Sequence, residues 1–247
     1  MRPIMKNPIK RILSPLSNIK EKKILRGKII IHDNKNAIRI AAFISIPKNA
    51  SNTIREILEL GPNRGRENTT SLVIYENHQR AEVLNQKYDL SKLFVFCFSR
   101  NPYDRCVSWY ESNKGIEPYK SLEFTDWIKQ GMPHHWKLQN QTNFVSTGIS
   151  PLLQYNFVEQ YKVDFLGKME TFSTDLKIVV ERLNHICEQK GLSHRFRYTN
   201  KKRNKSIRNP EYKNYYNQET REIVYSLLKK DFHHFGYKKW TVSSEDT

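Results

Sequence analysis

Two apolar, β-rich runs, residues 41–46 and 93–98, each stop at a turn of small and polar residues and restart as a helical pattern. The first turn reads Ile46-Pro47-Lys48-Asn49-Ala50-Ser51-Asn52-Thr53, and the second Arg100-Asn101-Pro102-Tyr103-Asp104-Arg105-Cys106-Val107-Ser108. A strand that turns directly into a helix leaves several backbone N–H groups unpaired around one spot, at the positive end of the helix dipole. Such a spot attracts phosphate or sulfate. The chain offers two of them about fifty residues apart, one with a lysine and one with an arginine and a serine. Together they can hold a ligand that is anionic at both ends. The same pattern constrains the fold, because strands that feed helices imply crossover connections, parallel pairing and a sheet covered on both faces.

The rest of the chain continues the alternation. Strands are predicted over 38–46, 72–75, 93–98 and 163–169, and helices over 50–60, 79–86, 103–111, 122–129, 173–189 and 218–233. The unbroken apolar run at 93–98 predicts a central strand. Pro102 suits the first turn of a helix, and Gly191 suits a helix end. The expectation is an α/β fold: one domain over 38–240 with a central parallel sheet flanked by helices on both faces. A basic arm over 1–37 precedes it and a short tail over 241–247 follows. Pro3, Pro8 and Pro15 oppose helix in the early arm, while the Ile and Leu spacing over 9–25 allows a weak amphipathic helix. Ligands on parallel sheets bind at the carboxyl ends of the strands, where both turns lie.

At 247 residues the chain can bury one sizeable core. Its formal net charge of +17 calls for an anionic partner. The excess is concentrated: residues 1–28 hold nine Lys and Arg against the single acid Glu21, and residues 195–208 hold seven with no acid. The three cysteines, Cys97, Cys106 and Cys187, are odd in number and lack a CxxC spacing, which predicts buried thiols in a reducing compartment. No run approaches the roughly 20 apolar residues of a membrane span. The basic start also lacks the apolar core of a signal peptide. The expected location is a bacterial-type cytoplasm, with peripheral membrane contact through the arm as an added option.

The two turns resemble the signature of the sulfotransferases that use 3′-phosphoadenosine-5′-phosphosulfate (PAPS), in the carbohydrate (Golgi-type and bacterial) branch. Pro47, Lys48, Ala50 and Ser51 match the family's first loop, and Arg100, Asn101, Pro102, Arg105 and Ser108 match its second segment. The resemblance implies the P-loop-kinase-like sulfotransferase fold. It assigns Lys48, Asn49, Ala50, Ser51, Asn52 and Thr53 to the 5′-phosphosulfate, and Arg100 and Ser108 to the 3′-phosphate. Asn52 departs from the family's usual threonine but can still donate to a phosphate oxygen. Asn204-Lys205-Ser206 resembles the family's late segment that closes over the nucleotide, adding Lys205 and Arg208 as phosphate contacts. Gly167-Lys168-Met169-Glu170 resembles a strand end before a long helix, with Glu170 in a structural role. Residues 231–237 resemble the last helix and turn, so the likeness covers 38–237. Lys48 would neutralise charge on the bridging and phosphate oxygens as the sulfuryl group leaves and 3′,5′-adenosine bisphosphate is released. Taken alone, Lys48 is a loop lysine, Arg100 a partner for Asp104, Ser108 a helix-surface serine, and Arg105 a brace acting through an ion pair. The chain has no Gly-x-x-x-x-Gly-Lys-(Ser/Thr) loop, which argues against a P-loop kinase.

A hydroxyl acceptor also needs a base, and histidine suits that task near neutral pH. His78 follows the strand at 72–75, and Tyr75-Glu76-Asn77-His78 resembles the Tyr-His-Gly-His of uronyl 2-O-sulfotransferases, whose second histidine is the base. Glu76 stands where that motif has its first histidine and is the rival base; a surface histidine capping the next helix is the plain alternative. His134-His135-Trp136 pairs two histidines without further ligands at metal spacing. It reads as an acceptor-binding loop or a packed aromatic loop, and no metal is expected. Three functions follow: sulfuryl transfer to an oligo- or polysaccharide, transfer to a small non-carbohydrate alcohol, or a non-enzymatic basic module. The last would hold a glycosaminoglycan-like polymer or a nucleic acid.

Overall fold

The computed structural model describes residues 24–25, 28–29, 38–60, 72–114, 116, 121–133, 152–159, 161–200 and 211–241. The chain divides into two compact units, Met1–Ala37 and Ile38–Thr247. In the first, Ile24–Leu25 pairs antiparallel with Lys28–Ile29. The helical spacing read over 9–25 therefore ends in a strand, and the rest of that expectation lies outside the described residues.

The second unit is built on four parallel strands: β1 (Ala41–Ile44), β2 (Val73–Tyr75), β3 (Phe94–Ser99) and β4 (Phe165–Lys168). Their order is β2-β1-β3-β4, with Ala42 opposite Ile74 and Val95, and Cys97 opposite Leu166. Helices α1 (Ser51–Ile57), α2 (Ala81–Tyr88), α3 (Pro102–Asn113) and α4 (Phe124–Lys129) follow the first three strands. After them come α5 (Tyr155–Val158), α6 (Phe172–Gln189), α7 (Gln218–Leu227) and α8 (Lys229–His234).

Alternation along the two central strands sorts the core into layers. Ala41, Phe43, Phe96 and Phe98 pack with Ile54 and Ile57 of α1 and with Leu176, Val179 and Leu183 of α6. Ala42, Ile44, Val95 and Cys97 pack with Ala81 and Leu84 of α2 and with Phe157 and Val158 of α5. Both faces are thus covered, as the unbroken apolar runs require. A third cluster, around Tyr103, Trp109, Trp127, Val224 and Phe232, joins α3, α4, α7 and α8. Gly167 on β4 lets the Phe98 ring close on the backbone, since a Cβ there would stand 2.5 Å from Phe98 Cε1.

Helix ends follow local chemistry. Asn101 caps α3 by accepting from the Tyr103 N–H, with Pro102 at the first helical position. A reciprocal Asn217–Thr220 capping box starts α7. Gly191 (φ 65°) closes α6, with Gly191 N–H on Glu188 O and Leu192 N–H on Cys187 O, a Schellman arrangement. The structure differs from expectation in two places. The single helix expected over 218–233 is two, broken at Leu228 (φ −109°) without Pro or Gly. Tertiary contacts override propensity there: Leu228 and Phe232 stay in the core while Asp231 turns toward two backbone amides. The four-residue α5 has no sequence signal, being shorter than any periodicity can report.

Candidate active site

Strands β1 and β3 are neighbours, yet their chains leave for different helices, α1 and α3, which pack in different clusters. That divergence lies at the carboxyl ends of the two strands, the end at which open parallel sheets bind ligands. In the first turn Lys48 (φ 69°) and Ala50 (φ 55°) both adopt the left-handed region. The alternating backbone turns the N–H groups of Ala50, Ser51 and Asn52 out of the ladder, and none of the three finds an acceptor among the described residues. Successive N–H groups in this conformation form an anion-binding nest. Ala50 caps α1 without a side-chain hydrogen bond, which leaves the helix start open to a ligand.

Side chains of this turn divide between ligand-facing and structural positions. Lys48 is half-buried, and its Nζ lies 5.9 Å from the Trp109 ring of α3. Asn52 is exposed, with its Oδ1 3.4 Å from Arg55 Nη1. Ser51 Oγ donates to Ile46 O, closing the turn on itself, and Thr53 is buried. Asn49 points inward: its Nδ2 donates to Phe98 O at 2.6 Å and to Gln154 Oε1 at 2.7 Å. As a side chain it is therefore a tie between the first turn, the end of β3 and Gln154.

In the second turn Arg100 is largely buried and bridges both turns. Its Nε donates to Asp104 Oδ2 at 2.7 Å and its Nη1 to Lys48 O at 3.1 Å. Ser108 lies two turns further along α3, half-buried, with no hydroxyl partner among the described residues. Arg105 is 1% exposed and braces the site through backbone carbonyls. Its Nε donates to Pro47 O at 2.9 Å and its Nη1 to Leu152 O. Burial lowers its pKa to about 10, partly offset by Asp231, so it stays cationic at neutral pH. Glu170 is structural, accepting from the Asn101 N–H at 2.7 Å and from the Tyr237 hydroxyl at 2.9 Å.

His78 sits in a strained left-handed conformation (φ 56°) after β2. Its Nδ1 lies 2.9 Å from Ser45 O and 3.2 Å from Ser45 Oγ. A carbonyl can only accept, so Nδ1 carries the proton and Nε2 is the basic nitrogen. Burial lowers the imidazole pKa to about 4, opposed by the Ser45 carbonyl and reinforced by Arg105, Arg55 and Lys48. The ring is therefore neutral at pH 7, and the cations of the first turn and α3 lie within its electrostatic reach. Glu76 is engaged elsewhere, accepting from Lys87 Nζ at 2.6 Å and the Tyr88 hydroxyl at 2.8 Å. His78 is thus held against Ser45, and Glu76 against α2. Lys205, Arg208 and the His134-His135-Trp136 segment lie outside the described residues. Cys97, Cys106 and Cys187 are buried and unpaired, and burial pushes the Cys97 and Cys106 thiols up to about 12.

Sequence reasoning passed over two residues of this region, Gln154 and Asp231. Gln154 joins both turns, and Asp231 accepts from the Gln154 and Tyr155 backbone amides. Gln154 belongs to no recognisable motif, and Asp231 opens the segment 231–237 without a mark of its long-range partners.

A family model described as the sulfotransferase family matches residues 40–238 of this chain. The chain belongs to the sulfotransferase family. The match begins in front of β1 and ends after α8, so it takes in both turns, His78 and the C-terminal helices. An uncharacterised protein of Archaeoglobus fulgidus is 30% identical over 89 residues, which is 36% of this chain and 66% of that relative's length. Among solved structures, mouse sulfotransferase SULT7A1 complexed with PAP is similar at a TM-score of 0.43 and 14% identity, over 79% of this chain and 85% of that one. Among the described residues, no helix of this sulfotransferase-family chain is long and apolar enough to cross a membrane.

Proposed function

We propose that this family member moves the sulfuryl group of PAPS to a hydroxyl of a carbohydrate acceptor by in-line displacement. The observation that carries the reading is that the Ala50–Asn52 N–H nest, Lys48 and Arg100 stand together at adjacent strand ends, where Arg100 Nη1 reaches Lys48 O. The nest suits the 5′-phosphosulfate, and Arg100 with Ser108 suits the 3′-phosphate through a guanidinium fork and a hydroxyl. As the sulfur–oxygen bridge breaks, negative charge grows on the departing 5′-phosphate, and Lys48 neutralises it. The acceptor oxygen forms the new bond to sulfur and gives its proton to His78 Nε2, which is unprotonated at neutral pH. The leaving product is 3′,5′-adenosine bisphosphate.

His78 is preferred to Glu76 as base because Lys87 and Tyr88 occupy the carboxylate. The carbohydrate acceptor is supported by the likeness of Tyr75–His78 to the uronyl transferases. Calorimetric titration with 3′,5′-adenosine bisphosphate against 5′-AMP tests the two-ended site. Tight binding that requires the 3′-phosphate is expected in the wild type and is lost in Arg100→Ala. Equal affinity for the two nucleotides in the wild type would refute the reading.

A further inference from the structure

The two turns are joined by a clasp made from neither of them. Gln154, just ahead of α5, is fully buried. Its Oε1 accepts from Asn49 Nδ2 of the first turn at 2.7 Å and from the Arg100 N–H of the second at 2.9 Å. Its Nε2 donates to Arg100 O at 2.8 Å, so Arg100 is gripped at both backbone poles. Asp231 of α8 holds the clasp from behind, with Oδ2 2.9 Å from Gln154 N and Oδ1 2.8 Å from Tyr155 N.

The turns also meet directly, where Arg100 Nη1 donates to Lys48 O. That contact uses the guanidinium, the group a bound phosphate would draw toward itself. The Gln154 bridge is different in kind. It is neutral, buried, and made to backbone and amide groups rather than to the guanidinium, so it does not depend on where the charged side chains lie. Asp231 binds the main-chain amides of Gln154 and Tyr155 and also acts on the Gln154 side chain, which is the part that reaches the turns.

We propose that Gln154 is a positioning residue that sets the spacing between the two anion-binding turns, and thereby the selectivity for a nucleotide phosphorylated at both its 3′ and 5′ ends. The inference rests on the reading of the turns as one two-ended nucleotide site. Gln154→Met keeps side-chain length and volume and the main-chain bonds to Asp231, but leaves Asn49 Nδ2 and the Arg100 N–H and carbonyl without their amide partner. A displacement of about an ångström at one end is enough to cost up to roughly a hundredfold in a positioned interaction. Gln154→Asn retains an amide that falls one methylene short of Arg100, and it serves if the Met variant does not fold.

The test compares affinities for 3′,5′-adenosine bisphosphate and 5′-AMP in wild type, Gln154→Met and Gln154→Asn by calorimetry, alongside thermal melts. The expected result is a fall of roughly ten- to a hundredfold in the ratio of the two affinities, with 5′-AMP binding itself little changed. A folded variant that keeps the wild-type ratio overturns the proposal, even if its melting temperature drops, because a purely structural role would move stability and spare the ratio. A wild type indifferent to the 3′-phosphate would instead refute the underlying functional reading, and the spacing argument with it.

Discussion

Replacing His78 by Asn separates its electrostatics from its chemistry. Asparagine tolerates the left-handed backbone of this position and can still donate to Ser45 O. In the unfolded chain histidine titrates near 6.5, whereas here burial and the flanking cations hold it near 4. Between those values the unfolded state binds the extra proton, so this group favours the native state fully above about pH 6.5 and loses that contribution as pH falls toward 4. The two pKa values give a loss of about 2 kcal/mol between pH 7.5 and pH 5. Urea unfolding at the two pH values should therefore show His78→Asn losing about 2 kcal/mol less than wild type on acidification. The same group sets the acid limb of catalysis. In kcat/KM the limb should fall near 4, because that profile reports the unliganded site, and in kcat it should lie higher, since bound nucleotide offsets the push of Lys48 and Arg105. Turnover should drop roughly 10²- to 10⁴-fold in the Asn variant with nucleotide affinity intact. An acid limb of kcat/KM at 6.5, or the same pH slope of stability in both proteins, would refute the argument.

Lys48→Ala should lower turnover by roughly 10²- to 10³-fold in a labelled-sulfate transfer assay, the scale on which a single charge-stabilising donor acts; activity within a few-fold of wild type would remove Lys48 from the mechanism. Glu76→Gln should leave turnover within about twofold and cost under about 1 kcal/mol in urea unfolding, since its contacts to Lys87 and Tyr88 are partly solvent-exposed. A collapse of turnover would transfer the base role to it. Gly167→Ala should cost about 1–3 kcal/mol, because the added methyl meets the Phe98 ring at 2.5 Å and that ring is packed in the core; denaturant melts that coincide with wild type would contradict the close approach.

What the sequence disclosed, and what it withheld, follows from distance along the chain. The turns after β1 and β3 were legible because each is local: an apolar run, small residues and a helix start lie within about ten positions. The parallel sheet followed from the alternation of such units, and the Gly191 helix end from one residue. Asn49 shows the limit, since its place in the loop suggested a ligand contact while its side chain is committed to Phe98 O and Gln154. Neither partner could be read from the motif, because Gln154 stands 105 residues away. The Gln154–Asp231 link spans 77 residues and depends on the break at Leu228, which no helix-breaking residue announces. Arg105 was legible as a brace, but its contacts to the carbonyls of Pro47 and Leu152 were not, because backbone acceptors leave no mark in a sequence.

The position of Asp231 has a bearing on biogenesis. During synthesis from the N-terminus, both anion-binding turns emerge more than a hundred residues before the helix that carries Asp231. Contacts of such long range form late in folding, after the local strand–helix units. The backbone of Gln154 gains its anchor only when that helix docks, so the site matures at the end of folding rather than with the strands that frame it. A nascent or truncated chain would carry the recognisable loops yet lack their registered spacing, and nucleotide capture would mark completion of the fold.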